Sequence, residues 1–350
     1  MDRPISYKRR ALGATIGALC LLGAACGSTK SSSVSSATTA GSSPTSSTPG
    51  TTTSAASTPA QTINVGVLPI ADVAPLYLGI KQGFFAAQHL NVTVHSLQGG
   101  AAVASAVVGG SLQFGFGATA NIVLARAHGL PLQFVANGDQ AGSTAATAWS
   151  GILVSANSGI TSISQLAGKT IAANATQGEN ELALDAILQR NGVQPSSVHV
   201  VALAFPTMPA ALTSGQVQAV TEVEPFVSSI EAKGGKLLSP LFEGEQPSEM
   251  VAGYFASTKE ISSDPALVSR FVTAMNKSLA YAAANPAAAQ AIIPTYTSIP
   301  AAVASKLILP VWSPTLNTSS IQSQEQLMLQ LGWIKSSVAV SSLVWAGANG

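Results

Sequence analysis

From Thr62 to about Pro225 the chain repeats one local plan: a short β-branched run, a turn marked by glycine or proline, then a helix-patterned stretch. "TINVGVLP" leads into "IADVAPLYLGIKQGFF", where Pro75 suits a first helical turn, Leu76 and Ile80 share a face and Gly83 ends the helix. "NVTVHSL", "LQFGFG" and "LQFVANG" read as strands, separated by the helix patterns "QGGAAVASAVVGG" and "ATANIVLARAHG". Strands that alternate with helices cannot be joined by hairpins. The chain is therefore expected to be α/β, with mostly parallel strands.

A second set of units follows. "SGILVSA", "GKTIAANA", "VHVVAL" and "QAVTEVEP" read as strands. "TQGENELALDAILQRNG" reads as a helix, opened by Thr176 and Glu179 in capping-box spacing and closed by Gly192. "TMPAALTSG" and "PFVSSIEAKGG" are shorter helices. After "MVAGYFAST" the chain turns predominantly helical and alanine-rich, from about Asp264 to the end, and no internal repeat stands out.

The N-terminus sets the compartment. Arg3, Lys8, Arg9 and Arg10 precede the apolar run "ALGATIGALCLLGAAC", which stops at Cys26. A basic region, a short apolar core and small residues make residues 1–25 a secretory signal. Arg9-Arg10 is a thin match to a twin-arginine signal, and a plain basic region is the simpler reading. The run is too short for a stable membrane span, which needs about 20 apolar residues. "LLGAAC" resembles the lipobox of bacterial lipoproteins, although Gly23 stands three before the cysteine and the leucine is Leu22. Cys26 is thus expected to carry lipid. Cys20 lies inside the removed segment, so the mature chain has no partner for a disulfide.

Residues 26–61 are mostly Ser, Thr, Ala, Gly and Pro, too polar to offset their ordering entropy, and read as a tether reaching roughly 30 Å. The folded part then runs from Thr62 to Gly350, about 290 residues, enough for two lobes. It carries eleven Lys and Arg against fourteen Asp and Glu, a net charge of −3. It has no basic stripe, so nucleic-acid binding is excluded. Mean hydropathy over the whole chain is positive at +0.36, but after residue 26 it comes from scattered alanines and valines and not from a spanning run.

"APLYLGIKQGFF", "VVGGSLQFGFGATANIVLARAHGLPLQFVA", "GITSISQLAGKTIAAN", "LALDAILQRNGV", "MPAALTSGQVQAVTEVEPF" and "SRFVTAMNKSLAYAAANPAAA" together resemble the periplasmic solute-binding proteins of the nitrate, sulfonate, taurine and thiamine-pyrimidine group. Their order and spacing carry the likeness, through most of Thr62 to Trp312. Gln113, Gln165 and Gln218 stand where family members often have aspartate, His89 where glycine is common, and Val223 where an aromatic often precedes the acidic-Pro pair. The resemblance implies a type II periplasmic-binding-protein fold: lobe 1 at 62–149 plus 257–350, lobe 2 at 150–256, and hinges near Trp149–Val154 and Val251–Ala256. It also implies a monomer that needs no cofactor, takes up a small-molecule solute and meets an ABC-transporter permease.

Ligands of α/β sheets sit beyond the carboxyl ends of the strands. That nominates Asp72, Gln98, Thr119, Asn121, Asn174, Thr176, Glu179, Glu222 and Glu224 in the strand-end loops, with Trp149 at the expected hinge as a stacking surface. Glu222 and Glu224 are two apart on a strand and share a face. A catalytic pair would need an acid–base partner and a metal site would need neighbouring histidines. His89, His95, His128 and His199 lack ligand spacing, and no GxSxG, P-loop or HExxH appears. The two glutamates are read as pocket wall, with a helix-dipole role as the alternative for Glu224. Four acidic residues and no Lys or Arg fall in these loops, which favours a cationic or nitrogenous solute, such as an aminopyrimidine or amine, over an anion. An enzyme like the thiamine-pyrimidine synthases of the same fold is the runner-up, opposed by the export signal. A ligand-sensing subunit for a membrane receptor is the third reading.

Overall fold

The computed structural model describes residues 59–242 and 248–349. The signal segment, Cys26 and the tether as far as residue 58 lie outside the described residues, as do 243–247.

Two five-stranded sheets organise the rest. The first is built from β1 (Gln61–Val67), β2 (Leu90–Ser96), β3 (Phe114–Ala118), β4 (Leu132–Gln140) and, from much later in the chain, β10 (Met250–Ser257), in the order β2-β1-β3-β10-β4. The second takes β5 (Ser150–Val154), β6 (Thr170–Ala173), β7 (His199–Ala202), β8 (Ala219–Val223) and β9 (Lys236–Pro240), in the order β7-β6-β8-β5-β9. β1 runs parallel to β2 and β3, and β6 runs parallel to β7 and β8. Each sheet has one reversed strand: β10 is antiparallel to both its neighbours, and so is β5. Those are the two strands that the chain enters after crossing from one sheet to the other.

The crossings differ from the expected hinges. The first occupies 141–149 and ends where β5 begins, so 150–154 are strand and not hinge. The second precedes Met250. Residues 251–256, expected as hinge and as the end of lobe 2, are β10, hydrogen-bonded between β3 and β4 in the first sheet. "MVAGYFAS" looks like a linker because small residues interrupt it. Yet a strand buried on both faces needs no polar–apolar alternation, and all eight of its residues are buried. β9, "KLLSP", is an edge strand too short and too exposed to stand out in the sequence.

Helices cover both sheets. On the first lie α1 (Ala74–Lys81), α2 (Gly100–Val108) and α3 (Thr119–Ala127); with the second go α4 (Glu179–Arg190), α5 (Met208–Thr213) and α6 (Phe226–Glu231). After β10 come α7 (Thr258–Ser263), α8 (Pro265–Ala284), α9 (Pro286–Ile292), α10 (Ala301–Ala304), α11 (Thr318–Gln330) and α12 (Val340–Leu343). α8 starts where the sequence places it: Pro265 opens the helix, and Asp264 Oδ1 accepts the Leu267 N–H at 2.9 Å. Phe271 of α8 stacks on Phe114 of β3 at 3.8 Å, pinning the long helix to the first sheet. Gly79 lets α1 approach α8, since a Cβ there would lie 1.9 Å from Ser278 Oγ. The cap of α4 departs from expectation. Gly178 holds the cap position with no side-chain bond, Thr176 is exposed, and Glu181, not Glu179, accepts an amide hydrogen from the preceding turn, at Gln177.

Among the described residues no helix is long and apolar enough to cross a membrane.

Candidate functional site

The carboxyl ends of β1, β3, β6 and β8 meet where the two sheets face each other. Between them lies a cavity lined from the first lobe by Leu68, Ile70, Asp72, Phe116, Asn121 and Val251, and from the second by Asn174, Glu179, Asn180, Phe205, Val223 and Phe242. Its volume is about 30 Å³, room for a water or so. No Lys, Arg, His, Cys or Ser is among the lining residues.

The two lobes are fastened across this cavity. The Ala71 N–H donates to the Glu224 carbonyl at 2.9 Å. At the N-terminus of α3, the Ala120 N–H donates to Glu179 Oε2 at 2.7 Å, and the Glu179 N–H reaches Asn121 Oδ1 at 3.4 Å. A carboxylate against the free amides of a helix N-terminus is favourable. Even so, burial holds the Glu179 carboxyl well above its ordinary range, and the nearby Glu249 adds to the shift.

Asp72 sits on a single 3-10 turn, Ala71–Val73, between β1 and α1. The Trp312 indole N–H fixes that turn by donating to the Asp72 carbonyl at 3.2 Å. Behind Asp72 stand Asp139 near the end of β4 and Tyr254 in β10, both fully buried. Asp72 Oδ1, both Asp139 carboxyl oxygens and the Tyr254 hydroxyl have no hydrogen-bond donor or acceptor from the rest of the chain. Burial pushes the Asp72 carboxyl up to about 7, and it pushes Asp139 well above its usual value, with the Asp72 charge adding to it. Tyr77 and Tyr296, stacked at 4.0 Å, close the far side, with the Tyr296 hydroxyl donating to the Ile70 carbonyl.

The sequence candidates divide accordingly. Asp72, Asn121, Asn174 and Glu179 line the cavity, and Asn174 Oδ1 is buried there without a partner. Glu222 and Glu224 do not; the residue of β8 that faces the cavity is Val223, between them. Glu224 caps α6, accepting from the Ser228 N–H at 3.0 Å and the Ser228 hydroxyl at 2.6 Å. Burial raises its carboxyl to about 7 against the pull of those bonds. Glu222 is fully buried with neither oxygen bonded, and desolvation raises it well above the carboxylate range. Thr119 is buried and ties α3 to β10 by donating to the Met250 carbonyl at 2.7 Å. Trp149 is core: its indole N–H donates to the Gln140 carbonyl, and its ring packs on Phe242, which takes the cavity-facing position instead. Thr176 is exposed and outside the cavity. Gln98 lines a separate, open cleft of about 840 Å³, with Pro69, Pro206, Phe226, Lys233 and Tyr296. Pro69 and Pro206 lie on this outer cleft while Leu68, Ile70 and Phe205 face inward, so two short segments partition the two spaces.

Asp139, Tyr254, Asn180 and Phe242 were absent from the sequence candidates. Asp139 and Tyr254 sit on strands, Phe242 in a crossing and Asn180 in the first turn of α4, one residue past the strand-end loop that the α/β rule searches. Among the described residues no three His, Cys, Asp or Glu side chains converge as ligands of a metal ion.

Residues 70–289 match the model of the family described as NMT1/THI5 like. The chain belongs to that family. Several solved structures share the fold. The alkanesulfonate-binding protein SsuA from Xanthomonas axonopodis pv. citri, bound to MOPS, superposes with a TM-score of 0.71 at 20% identity, covering 82% of this chain and 98% of that one. The periplasmic nitrate-binding protein NrtA from Synechocystis PCC 6803 superposes at 0.69 with 13% identity, covering 80% and 83%. A DszB mutant in complex with biphenyl-2-sulfinic acid superposes at 0.60 with 16% identity, covering 81% and 96%. No curated protein sequence matches the chain. The NMT1/THI5-like member described here therefore has the two-lobed periplasmic-binding-protein fold, in the α/β form that the strand–helix alternation anticipates.

Proposed function

We propose that the chain is an extracytoplasmic substrate-binding protein that captures a small nitrogenous or amine solute between its lobes and delivers it to an ABC-type importer. One observation carries the choice of solute: the inter-lobe cavity is bordered by two buried acids, Asp72 with an oxygen that has no donor and Glu179, and by no cationic side chain. A nitrogenous cation supplies both the missing N–H donors and the missing charge. Sulfonate- and nitrate-binding proteins share the fold, but an anion here would face Asp72 and Glu179 without a basic partner. The outer cleft is roomier, but it is open to solvent and bordered by Lys233.

Small-molecule sites run to roughly 300–1,000 Å³, so a cavity of about 30 Å³ admits no solute as it stands. Entry requires the lobes to part, breaking the Ala71–Glu224 and Ala120–Glu179 bonds, and bound solute shifts the equilibrium between open and closed forms. The signal at 1–25, lipid on Cys26 and the 26–61 tether would hold a monomer close to its permease. DszB shows the fold with a bound sulfinic acid, but the lining here offers neither cysteine nor histidine for nucleophilic or acid–base work.

The reading is tested by thermal unfolding of a chain beginning near Gln61 against aminopyrimidines, polyamines, sulfonates, nitrate and bicarbonate. A ligand at about 100 times its dissociation constant adds about 2.7 kcal/mol. Stabilisation by a nitrogenous cation is expected. Stabilisation by anions alone would refute the solute class and leave solute capture standing.

A further inference from the structure

Asp72 reaches the cavity, but Asp139 does not. It lies one layer deeper, on β4, against the turn that carries Asp72. Asp139 has no donor on either oxygen and Asp72 none on Oδ1; two facing carboxyls so placed cannot both be ionised at close range without large repulsion, so such pairs hold a proton between them. Every neighbouring element contributes acid or phenol and no base: Tyr254 from β10, Tyr77 from α1, Tyr296 after α9 and Glu179 from α4. Burial raises both carboxyls, in keeping with a protonated pair. Tyr254, its hydroxyl unbonded and its pKa raised by burial first and by the Asp139 charge second, stays neutral and is a ready donor to the pair once the proton leaves.

We propose that Asp72 and Asp139 form one receptor for a protonated nitrogen, filled by a shared proton when no solute is bound, so that capture of a cation releases that proton to solvent. The inference rests on the solute class proposed above and adds its consequence. The cation meets Asp72; Asp139 is a positioning residue that sets the charge state of Asp72 from behind. Charge is conserved in the exchange: one positive group enters, one proton leaves, and the closed cavity keeps the same net charge. Binding of such a solute therefore strengthens with rising pH until the pair is already ionised.

Calorimetric titration in phosphate and in cacodylate, anionic buffers that both hold pH 6 and differ in ionisation enthalpy, counts protons exchanged per site. The probes are acetamidinium, butylammonium and 4-aminopyrimidine, with methanesulfonate as the anion control. The wild-type chain is expected to release about one proton per acetamidinium or butylammonium bound near pH 6. Asp139→Asn, whose amide can donate to the Asp72 carboxylate in place of the shared proton, is expected to bind with release reduced, and Asp139→Glu to restore it. A cation bound without proton exchange, or with equal release in Asp139→Asn, overturns this inference and leaves the solute class intact. Binding of methanesulfonate alone, or of no probe, overturns both. A ligand-free arm keeps the pair falsifiable by itself: Asp72→Asn, Asp139→Asn and the double variant are unfolded as a function of pH. The shared proton predicts strongly non-additive effects, and simple additivity overturns it.

Discussion

Replacing Asp72 by Asn removes one titrating group from a buried position while keeping its shape. In the folded chain the Asp72 carboxyl is raised from 3.8 to about 7, chiefly by burial. A raised acid stabilises the fold most when protonated. Its contribution is complete below about pH 4 and is lost as pH rises through about 7, because the native state holds a proton that the unfolded chain gives up. About three pKa units at 1.36 kcal/mol each amount to about 4 kcal/mol across that window, an upper figure because Asp139 shares the proton. Urea unfolding at pH 4, 5.5, 7 and 8 measures it. Wild-type stability should fall over this range, and Asp72→Asn should remove up to about 4 kcal/mol of the fall. In thermal scans at pH 8 the variant should melt higher than wild type, at roughly 2–4 °C per kcal/mol for large domains. Parallel pH profiles for the two chains would refute the claim that Asp72 is a buried, protonated acid.

Other perturbations test separate parts of the account. Glu179→Ala leaves the Ala120 N–H without its carboxylate across the cavity. A hydrogen bond contributes about 0.5–1.5 kcal/mol net, more where its acceptor is charged, so the ligand-free chain should shift towards an open form with a larger radius of gyration by small-angle scattering; an unchanged radius would count against the latch. Gly79→Ala places a methyl 1.9 Å from Ser278 Oγ, and should cost about 1–3 kcal/mol in urea unfolding. Asp264→Ala removes the cap of α8, with an expected loss of about 1 kcal/mol. Glu222→Gln should raise stability at pH 8 more than at pH 4, since desolvation outweighs every other influence on Glu222 and raises it; the reverse pH trend would refute that.

What the sequence made legible follows from where each residue sits. Asp72, Asn121, Asn174 and Glu179 lie at or just after strand ends, the places the α/β rule points to, and all four border the cavity. Glu222 and Glu224 show the limit of periodicity. Spacing of two puts side chains on one face of a strand, but only the packing of β8 between β6 and β5 decides which face meets the other lobe, and that face belongs to Val223. Asp139 was invisible because it lies in β4 just past the apolar run "LQFVANG", where an acid reads as the solvated end of a strand. Its burial comes from β10, which arrives more than a hundred residues later to cover it. The same long-range insertion misplaced the second crossing. Thr176 and Glu179 fit the capping-box spacing, yet Gly178 takes the cap and frees the Glu179 carboxylate to reach the other lobe.

The central claim is that a nitrogenous solute is held between the lobes, against Asp72. A crystal structure of the chain grown with whichever probe stabilises it most tests this directly. The account predicts the solute between Asp72, Asn121, Asn174 and Glu179, with an N–H group on the Asp72 carboxylate and the cavity enlarged around it. Density for the solute in the outer cleft beside Gln98 and Lys233, with the inner cavity unchanged, would contradict it.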